Sequence, residues 1–378
     1  MASVAMVVTN ACSPDPRVLR SAKLLAKNGH NVTIHAFDRT QGSPMSEIDD
    51  GVRIMRYHIG VFSYGAKWKT VSGLRAFRKT VTSSLANNPP DCVYCHDADT
   101  LEIGVKLKSK AGCILIFDMH DLQHTWVMMG RPNSLVRRAI AHRLEKRNLQ
   151  RIKKSDLVIT SSGAAKGGMF PGFREYLSEQ KVDSIVVENR PEEVERRQKV
   201  IPNTEWTVAY IGRVREIKSF HLLTKALELL PKSERPNIKI AGDGTATEDV
   251  HTHLLNESSR LGIHLNLHPA FDASTLPSLM EDVDVMFAMY PPERGNIKQG
   301  ALPVKMFDAA SFGIPSIVNS DCLMGEVCTN EGLGLAVKWD DSEALSAALL
   351  SQREAVIALE EFGKEQHSAF LNAFEGLF

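Results

Sequence analysis

The stretch Val4-Ala5-Met6-Val7-Val8-Thr9-Asn10-Ala11-Cys12-Ser13-Pro14-Asp15-Pro16-Arg17-Val18-Leu19-Arg20 decides the fold, because its periodicity changes halfway along. Val4–Val8 is a short unbroken apolar run, as a strand buried on both faces requires. Thr9–Pro14 interrupts it with turn residues. Asp15-Pro16 then opens a helix, the aspartate as N-cap and the proline in the first turn, where its missing N–H costs nothing. Val18, Leu19, Ala22, Leu25 and Ala26 recur at helical spacing, Arg20, Lys23 and Lys27 point elsewhere, and Gly29 fits the C-terminal cap. Asn31–Phe37 reads as the next strand. Strand, helix and strand in succession form a βαβ unit, which builds a parallel sheet with helices on its faces.

Outward from that unit the alternation repeats. Strands are expected near Asp91–Cys95, Cys113–Phe117, Asp156–Thr160 and Ser184–Val187, each ending in polar residues: His96-Asp97, Asp118-Met-His120-Asp121, Ser161-Ser162-Gly163 and Glu188-Asn189. Those are carboxyl ends of parallel strands, where open α/β sheets place their ligands. The charged, proline-flanked stretch 190–199 reads as a linker. A second alternation follows, with strands at Thr207–Ile211, Ile238–Ala241, Leu265–His268, Val283–Met289 and Ser316–Val318. Helices are expected between them near Phe220–Leu230, Glu248–Leu261, Ser274–Glu281 and Pro303–Phe312. The expected division is therefore two Rossmann-like α/β domains, 1–190 and 203–350, joined by a linker at 191–202. A helical tail, 351–378, carries Val356, Leu359, Phe362, Phe370, Leu371 and Phe374 as apolar docking surface and should return to the first domain.

A length of 378 residues suits two such domains at roughly 150 residues each. Lys and Arg (45) balance Asp and Glu (45), so no global field draws the chain to nucleic acid. The chain runs directly into its first strand without a basic leader, and no apolar run approaches the ~18 residues of a membrane span. A cytoplasmic location is the expectation. Cys92-Val-Tyr-Cys95-His96 matches the haem c attachment pattern, but it lies in an expected buried strand and the chain lacks an export signal. The cysteines therefore read as free core thiols.

Two segments carry chemistry. In Leu302-Pro303-Val304-Lys305-Met306-Phe307-Asp308 the proline starts a helix whose first amides, at Val304 and Lys305, make an anion site to which the Lys305 side chain adds charge. Asp308, one turn on, can accept hydrogen bonds from a ribose diol. An ordinary packing helix with Lys305 and Asp308 solvated is the alternative. After the strand 207–211, Gly212 permits close backbone approach, and Arg213 and Lys218 flank a short turn where they can clamp a diphosphate and stabilise its departure. The alternative there is a basic surface loop. A third strand end, Ala241-Gly242-Asp243-Gly244, adds a glycine-rich turn of weak specificity.

Taken in order, Gly-Arg…Lys, Ala-Gly-Asp-Gly and Leu-Pro-x-Lys-x-Phe-Asp…Gly-x-Pro resemble glycosyltransferase family 4, the retaining enzymes of the two-domain GT-B fold, over nearly the whole chain. Asp15-Pro-Arg-Val-Leu-Arg, His96-Asp97 and Phe117-Asp-Met-His120-Asp121 resemble its acceptor half. The resemblance implies two Rossmann-like domains facing a cleft, and a sugar moved from a nucleoside diphosphate donor to a carbohydrate or lipid-linked acceptor. It implies Gly212, Arg213, Lys218, Gly242, Val304, Lys305 and Asp308 on the donor, and Asp15, Arg17, His96 and Asp97 toward the acceptor. His120, bordering the reacting sugar, and Asp121 are implied as catalytic. Many members carry two glutamates separated by seven residues; here Gly300 stands where the first would be and Asp308 replaces the second. The donor loop is of the Leu-Pro-x-Lys-Leu-Phe-Glu type.

In such retaining chemistry a leaving-group phosphate oxygen can take the acceptor's proton, so no pair of close carboxylates is needed. Neither Asp97-Ala-Asp99, in the acceptor half, nor Asp282-Val-Asp284, before a buried strand, is a convincing metal motif. No metal or cofactor is expected. Basic stretches at Tyr64, Lys67, Trp68, Lys69, Arg75, Phe77, Arg78 and Lys79, and from Arg137 to Lys154, suit an anionic membrane surface or equally a solvated face. A nucleotide-sugar epimerase of the same architecture would isomerise the donor without an acceptor. A non-catalytic homologue would bind without turnover. A dinucleotide oxidoreductase has Asp38 suitably placed for a ribose, but the loop Asn10–Pro16 holds no glycine for the phosphate fingerprint.

Overall fold

The structure is a computed structural model describing residues 1–13, 15–59, 67–128, 131, 133–191, 205–271, 273–360 and 363–378. The linker expected at 191–202 lies outside the described residues apart from Pro191, as do Pro14, Tyr64 and Phe362 and the side chains of Lys67, Trp68 and Lys69. The chain forms two compact units, one of residues 1–161, 174–187 and 366–378, the other of 162–173 and 188–365.

The first unit is built on an eight-stranded sheet of β1 (Ser3–Val8), β2 (Asn31–Ala36), β3 (Ser46–Asp49), β4 (Val52–Arg56), β5 (Cys92–His96), β6 (Ile114–Met119), β7 (Leu157–Thr160) and β8 (Ile185–Val186). Its order is β3-β4-β2-β1-β5-β6-β7-β8, and only β3 runs antiparallel to its neighbour. The opening βαβ unit forms as its periodicity requires. Asp15 caps the helix Pro16–Lys27 through Val18 N–H at 3.2 Å, and Val18, Ala22 and Leu25 are buried against the sheet. Gly29 takes φ +88 just beyond that helix, whose C-cap is Asn28. The direction of strand order reverses at β1, between β2 and β5, so the loops after β1 and β5 flank the natural ligand crevice of the sheet.

The second unit has a six-stranded, all-parallel sheet of β9 (Thr207–Ile211), β10 (Asn237–Ala241), β11 (Leu265–His268), β12 (Val285–Ala288), β13 (Ser316–Asn319) and β14 (Gly334–Val337), ordered β11-β10-β9-β12-β13-β14. Here the reversal falls at β9, so the loop from Gly212 to Lys218 opens at the equivalent point.

The tail is not one helix from 351. A helix Ser342–Gln352 ends there, an irregular stretch buries Leu359 in the second unit and leaves Val356 exposed, and only Lys364–Glu375 is helical again. That last helix closes the first unit, where Phe370 and Phe374 enter the core under β1 and β5 and His30 meets Glu375 at 2.7 Å.

Candidate functional site

In the second unit, the ends of β9 and β10 fit together backbone on backbone. Gly212 (φ +135) donates its N–H to Ala241 O at 2.8 Å, and a Cβ on Gly242 (φ +132) would lie 2.2 Å from Gly212 O. Gly244 is held equally tightly against Val214 O. No side chain fits at either position, which gives the weak Gly-Asp-Gly signal a steric reason.

On its other side Gly212 faces Lys305. The helix Val304–Ser311 starts at Pro303 with no side-chain cap, so its first amides are not met by a capping side chain. Lys305 is 8% exposed, its Nζ lies 2.9 Å from the centroid of the Tyr210 ring, and that Nζ has no hydrogen-bond partner among the described residues. Burial, with Arg294 adding repulsion, holds its ammonium well below the usual lysine range. A Cβ placed on Gly212 would be 3.6 Å from this Nζ. The result is a desolvated amine, supported by an aromatic face and directed at a bare stretch of backbone.

Arg213 and Lys218 flank the same loop but stand in solvent, and each is already paired: Arg213 with Asp243, Lys218 with Glu293 at 2.5 Å. Glu216, just before the N-cap Ile217 of the helix Lys218–Glu228, accepts the Ser219 N–H at 3.2 Å. Asp308 is half-buried one turn beyond Lys305.

Gly300 explains the missing acid. Its φ is +102, and a Cβ there would lie 2.5 Å from Pro171 O and 2.6 Å from Gly172 Cα. Gly172 in turn packs on Gly163, whose backbone a Cβ would meet at 2.7 Å. Glu326 fixes this segment by accepting the N–H groups of Met169 (2.6 Å) and Phe170 (3.2 Å).

In the first unit, β5 and β6 bring His96 opposite Asp118 and place His120 and Asp97 beside them. Asp118 is buried and receives Arg17 on both oxygens, Nε at 3.0 and 3.2 Å and Nη2 at 2.6 Å, while Arg17 Nη1 donates to Val187 O at 2.5 Å. Arg17, expected toward an acceptor, is thus the counter-ion beneath the site, and Asp15 is the cap of the helix that carries it. His96 is fully buried and stacked on Tyr94 at 4.5 Å. Desolvation pushes its pKa down, so it stays neutral and accepts at Nδ1, 3.2 Å from His120 Nε2.

His120 goes the other way. Burial alone would lower its pKa, but Asp97 and Asp118 outweigh that and hold it at about 9, an imidazolium at neutral pH. Asp97 Oδ1 accepts His120 N–H at 3.2 Å, and its Oδ2 lies 3.5 Å from Nδ1. Asp97 itself sits at φ +63, with its pKa raised by desolvation and the acids around it. Asp121 accepts Leu122 N–H at 2.7 Å.

Donor atoms of His96, Asp118 and His120 lie within 4.8 Å of one another, the one such set among the described residues. A cation there would have to displace the Arg17 guanidinium and the His120 proton, so the donor set does not fit a resident metal. Sequence reasoning had missed Asp118 as the hub, Tyr210 beneath Lys305, and Glu326. The first two face inward on strands and carry no local signal.

Residues 14–170 match a glycosyl transferase 4-like domain, and residues 191–365 match the glycosyl transferases group 1 domain. No curated protein sequence matches the chain. Solved structures do. Sucrose-phosphate synthase from Thermosynechococcus elongatus is 13% identical over 99% of this chain and 97% of its own, with a TM-score of 0.68. HepE of Anabaena in complex with UDP-glucose is 13% identical over 100% of both chains, at 0.64. WaaG, a glycosyltransferase involved in lipopolysaccharide biosynthesis, is 14% identical over 98% and 93%, at 0.62. At these identities the likeness establishes the fold: two Rossmann-like parallel-sheet domains.

Proposed function

Because the chain belongs to the glycosyltransferases of the GT-B fold, we propose that it moves a hexose from a nucleoside diphosphate sugar to a carbohydrate or lipid-linked acceptor, with retention and without a metal. One observation carries this reading: the buried Lys305 amine, without a hydrogen-bond partner among the described residues, beside the bare backbone of Gly212. A diphosphate supplies what that amine lacks, and the uncapped amides of Val304 and Lys305 add donors for its oxygens. Arg213 and Lys218 exchange their acids for phosphate oxygens, and Asp308 accepts from the ribose diol. The donor loop is read as the Leu-Pro-x-Lys-Leu-Phe-Glu type, with Asp308 for the glutamate.

In the transfer, the acceptor oxygen forms its bond to the anomeric carbon on the face from which the diphosphate leaves. The acceptor's proton passes to a leaving phosphate oxygen, and the bond electrons leave with the diphosphate. Fixed cations stabilise the charge that develops there. The His120 imidazolium, held by Asp97 and Asp118, borders the reacting sugar and lends it positive charge.

A peripheral place at the inner face of a membrane, with a lipid-linked acceptor, is part of the same reading. Its support is the helix Leu135–Ile152, which exposes Leu135 (74%), Val136 (70%) and Ile140 (53%) beside the exposed Arg143, Lys146 and Arg147. The helix's single acid, Glu145, is engaged by Tyr176 at 2.7 Å.

The test is a thermal-shift panel of UDP, GDP, ADP and their hexose conjugates, followed by product analysis with the donor that binds. HepE holds UDP-glucose, so that donor comes first. Stabilisation by a nucleoside diphosphate, and turnover only with an acceptor present, are expected. Isomerised free donor would identify an epimerase, and binding without turnover a non-catalytic homologue.

A further inference from the structure

In a sheet covered by helices on both faces every strand position should be buried, as it is along β5. β2 and β4 depart from that. Val32, Ile34 and Ala36 on β2 and Val52 and Ile54 on β4 enter the core, while Asn31, Thr33 and His35, with Arg53 and Met55, form the opposite phase. The register sets that phase side by side: Ser3 next to Asn31, Ala5 next to Thr33, Thr33 next to Arg53, and His35 next to Met55. This row is the floor of an open cleft of about 380 Å³, walled by the end of the helix Lys67–Asn87 at Ser84 and Leu85 and by the turn from Asn88 to Pro90. The volume falls within the ~300–1,000 Å³ of small-molecule sites. The cleft lies toward the amino ends of its strands. From Ser3 to the loop that opens at Thr9 is about 20 Å at the strand rise, so this is a different place from the crevice at the carboxyl ends.

Its lining is chemically spare. The side chains of Asn31, Thr33, Arg53 and Asn88 make no hydrogen bond or ion pair to the described residues. On the opposite phase of the same strand Arg56 is consumed by Ala11 O, Pro44 O and Glu47. His35 is 5% exposed; its Nδ1 lies 2.8 Å from the Tyr57 hydroxyl, which Ser84 also engages, and its Nε2 has no hydrogen-bond partner among the described residues. Burial lowers its pKa to about 4, so the ring is neutral and Nε2 offers the cleft either a proton or a lone pair. No carboxylate lines the cleft among the described residues, so it holds nothing for a cationic ligand. Amides, hydroxyls, an imidazole and a guanidinium fork instead match the clustered hydroxyls of a sugar, each of them donor and acceptor at once. Met55, Pro89 and Pro90 supply apolar contact for its C–H faces.

We propose that this cleft is a second carbohydrate-binding site, holding a short stretch of glycan apart from the transfer crevice. The class of ligand follows from this lining and from the family to which the chain belongs, and it needs no particular donor or acceptor. Its use would be to keep a long glycan on the protein between transfers.

The test is methyl NMR on the full chain labelled at methionine, with the Met55 signal identified by Met55→Leu, during titration with maltotetraose, cellotetraose, chitotetraose and mannotetraose. At least one of them should move the Met55 signal saturably. Thr33→Val, of nearly the same shape, and Arg53→Gln should each raise that Kd by about fivefold, the scale of one hydrogen bond. Both variants should melt like wild type and bind nucleoside diphosphate as wild type does. No saturable movement of Met55 with any of the four, or the same Kd in wild type and both variants, would overturn the proposal. Neither result touches the nucleotide-sugar reading, whose failure shows separately, as absence of nucleoside diphosphate binding to the wild-type chain.

Discussion

At the scale of single residues, the two titratable groups that matter most are held under opposite constraints. Lys305 is a buried, desolvated amine without a hydrogen-bonding counterpart among the described residues, so its presence costs the free protein stability that ligand binding recovers. Lys305→Met, of similar volume, should therefore raise the melting temperature of the ligand-free chain by a few degrees, since ~1 kcal/mol corresponds to ~2–4 °C in a domain of this size. The same variant should weaken nucleotide binding at least tenfold, about the 1.5–3 kcal/mol of a hydrogen bond to a charged group. A variant less stable than wild type would defeat the argument. His120 is over-supplied with counter-charge. Its folded pKa of about 9 exceeds the ordinary 6.5, so its contribution to stability is complete below pH 6.5, declines above it, and is lost as pH passes 9. Melting curves from pH 6 to 10 should show a decline that His120→Gln flattens, and an equal decline in both would count against it. Lys305 and His120 were visible in their motifs. Their environments were not, because Tyr210 reaches Lys305 only where the helix packs on the sheet, and Asp97 reaches His120 only through the pairing of β5 with β6. The Arg17–Asp118 pair was hidden for a similar reason, since it joins the first helix to a strand about a hundred residues on.

At the scale of elements, glycine controls how closely strand ends approach. Gly242→Ala places a methyl 2.2 Å from Gly212 O at φ +132, and strain of about 1–3 kcal/mol per such residue should lower both stability and nucleotide affinity. Gly29→Ala, also at positive φ but with open space around it, should cost stability without touching affinity. Affinity unaltered in Gly242→Ala would show that the strand-end fit is irrelevant to the site. The long parallel strands and their helices could be read from apolar runs bounded by turn residues. The pair β3 and β4 could not, because its inward phase is Val52, Ile54 and Arg56, and a buried arginine breaks the apolar alternation. Arg56 is tolerated there because Ala11 O, Pro44 O and Glu47 take its protons. The tail misled for a related reason: Leu359 belongs to one core and Phe370 and Phe374 to the other, so a single apolar pattern spans two destinations.

At the scale of the whole molecule, the last helix is a structural part of the first unit. Phe374→Ala removes a fully buried ring from the core and should cost roughly 3–5 kcal/mol, measurable as a loss of denaturant midpoint. A change below about 1 kcal/mol would mean the helix is only loosely attached. Vesicle co-sedimentation tests the exposed apolar face: binding to anionic vesicles that falls with salt and is lost in Leu135→Ser/Ile140→Ser is expected. Binding that ignores both would leave the face merely solvated.

The segment 162–173 belongs to the second unit although 1–161 and 174–187 on either side belong to the first, and the chain changes unit again at 187/188 and 365/366. The donor half is therefore not a cassette. Cut at a single linker and grafted to another acceptor half, it would leave behind the segment that packs on Gly300. A working chimera must be spliced at four junctions, and one whose 162–173 comes from the wrong parent should lose donor affinity through a mismatched packing on Gly300.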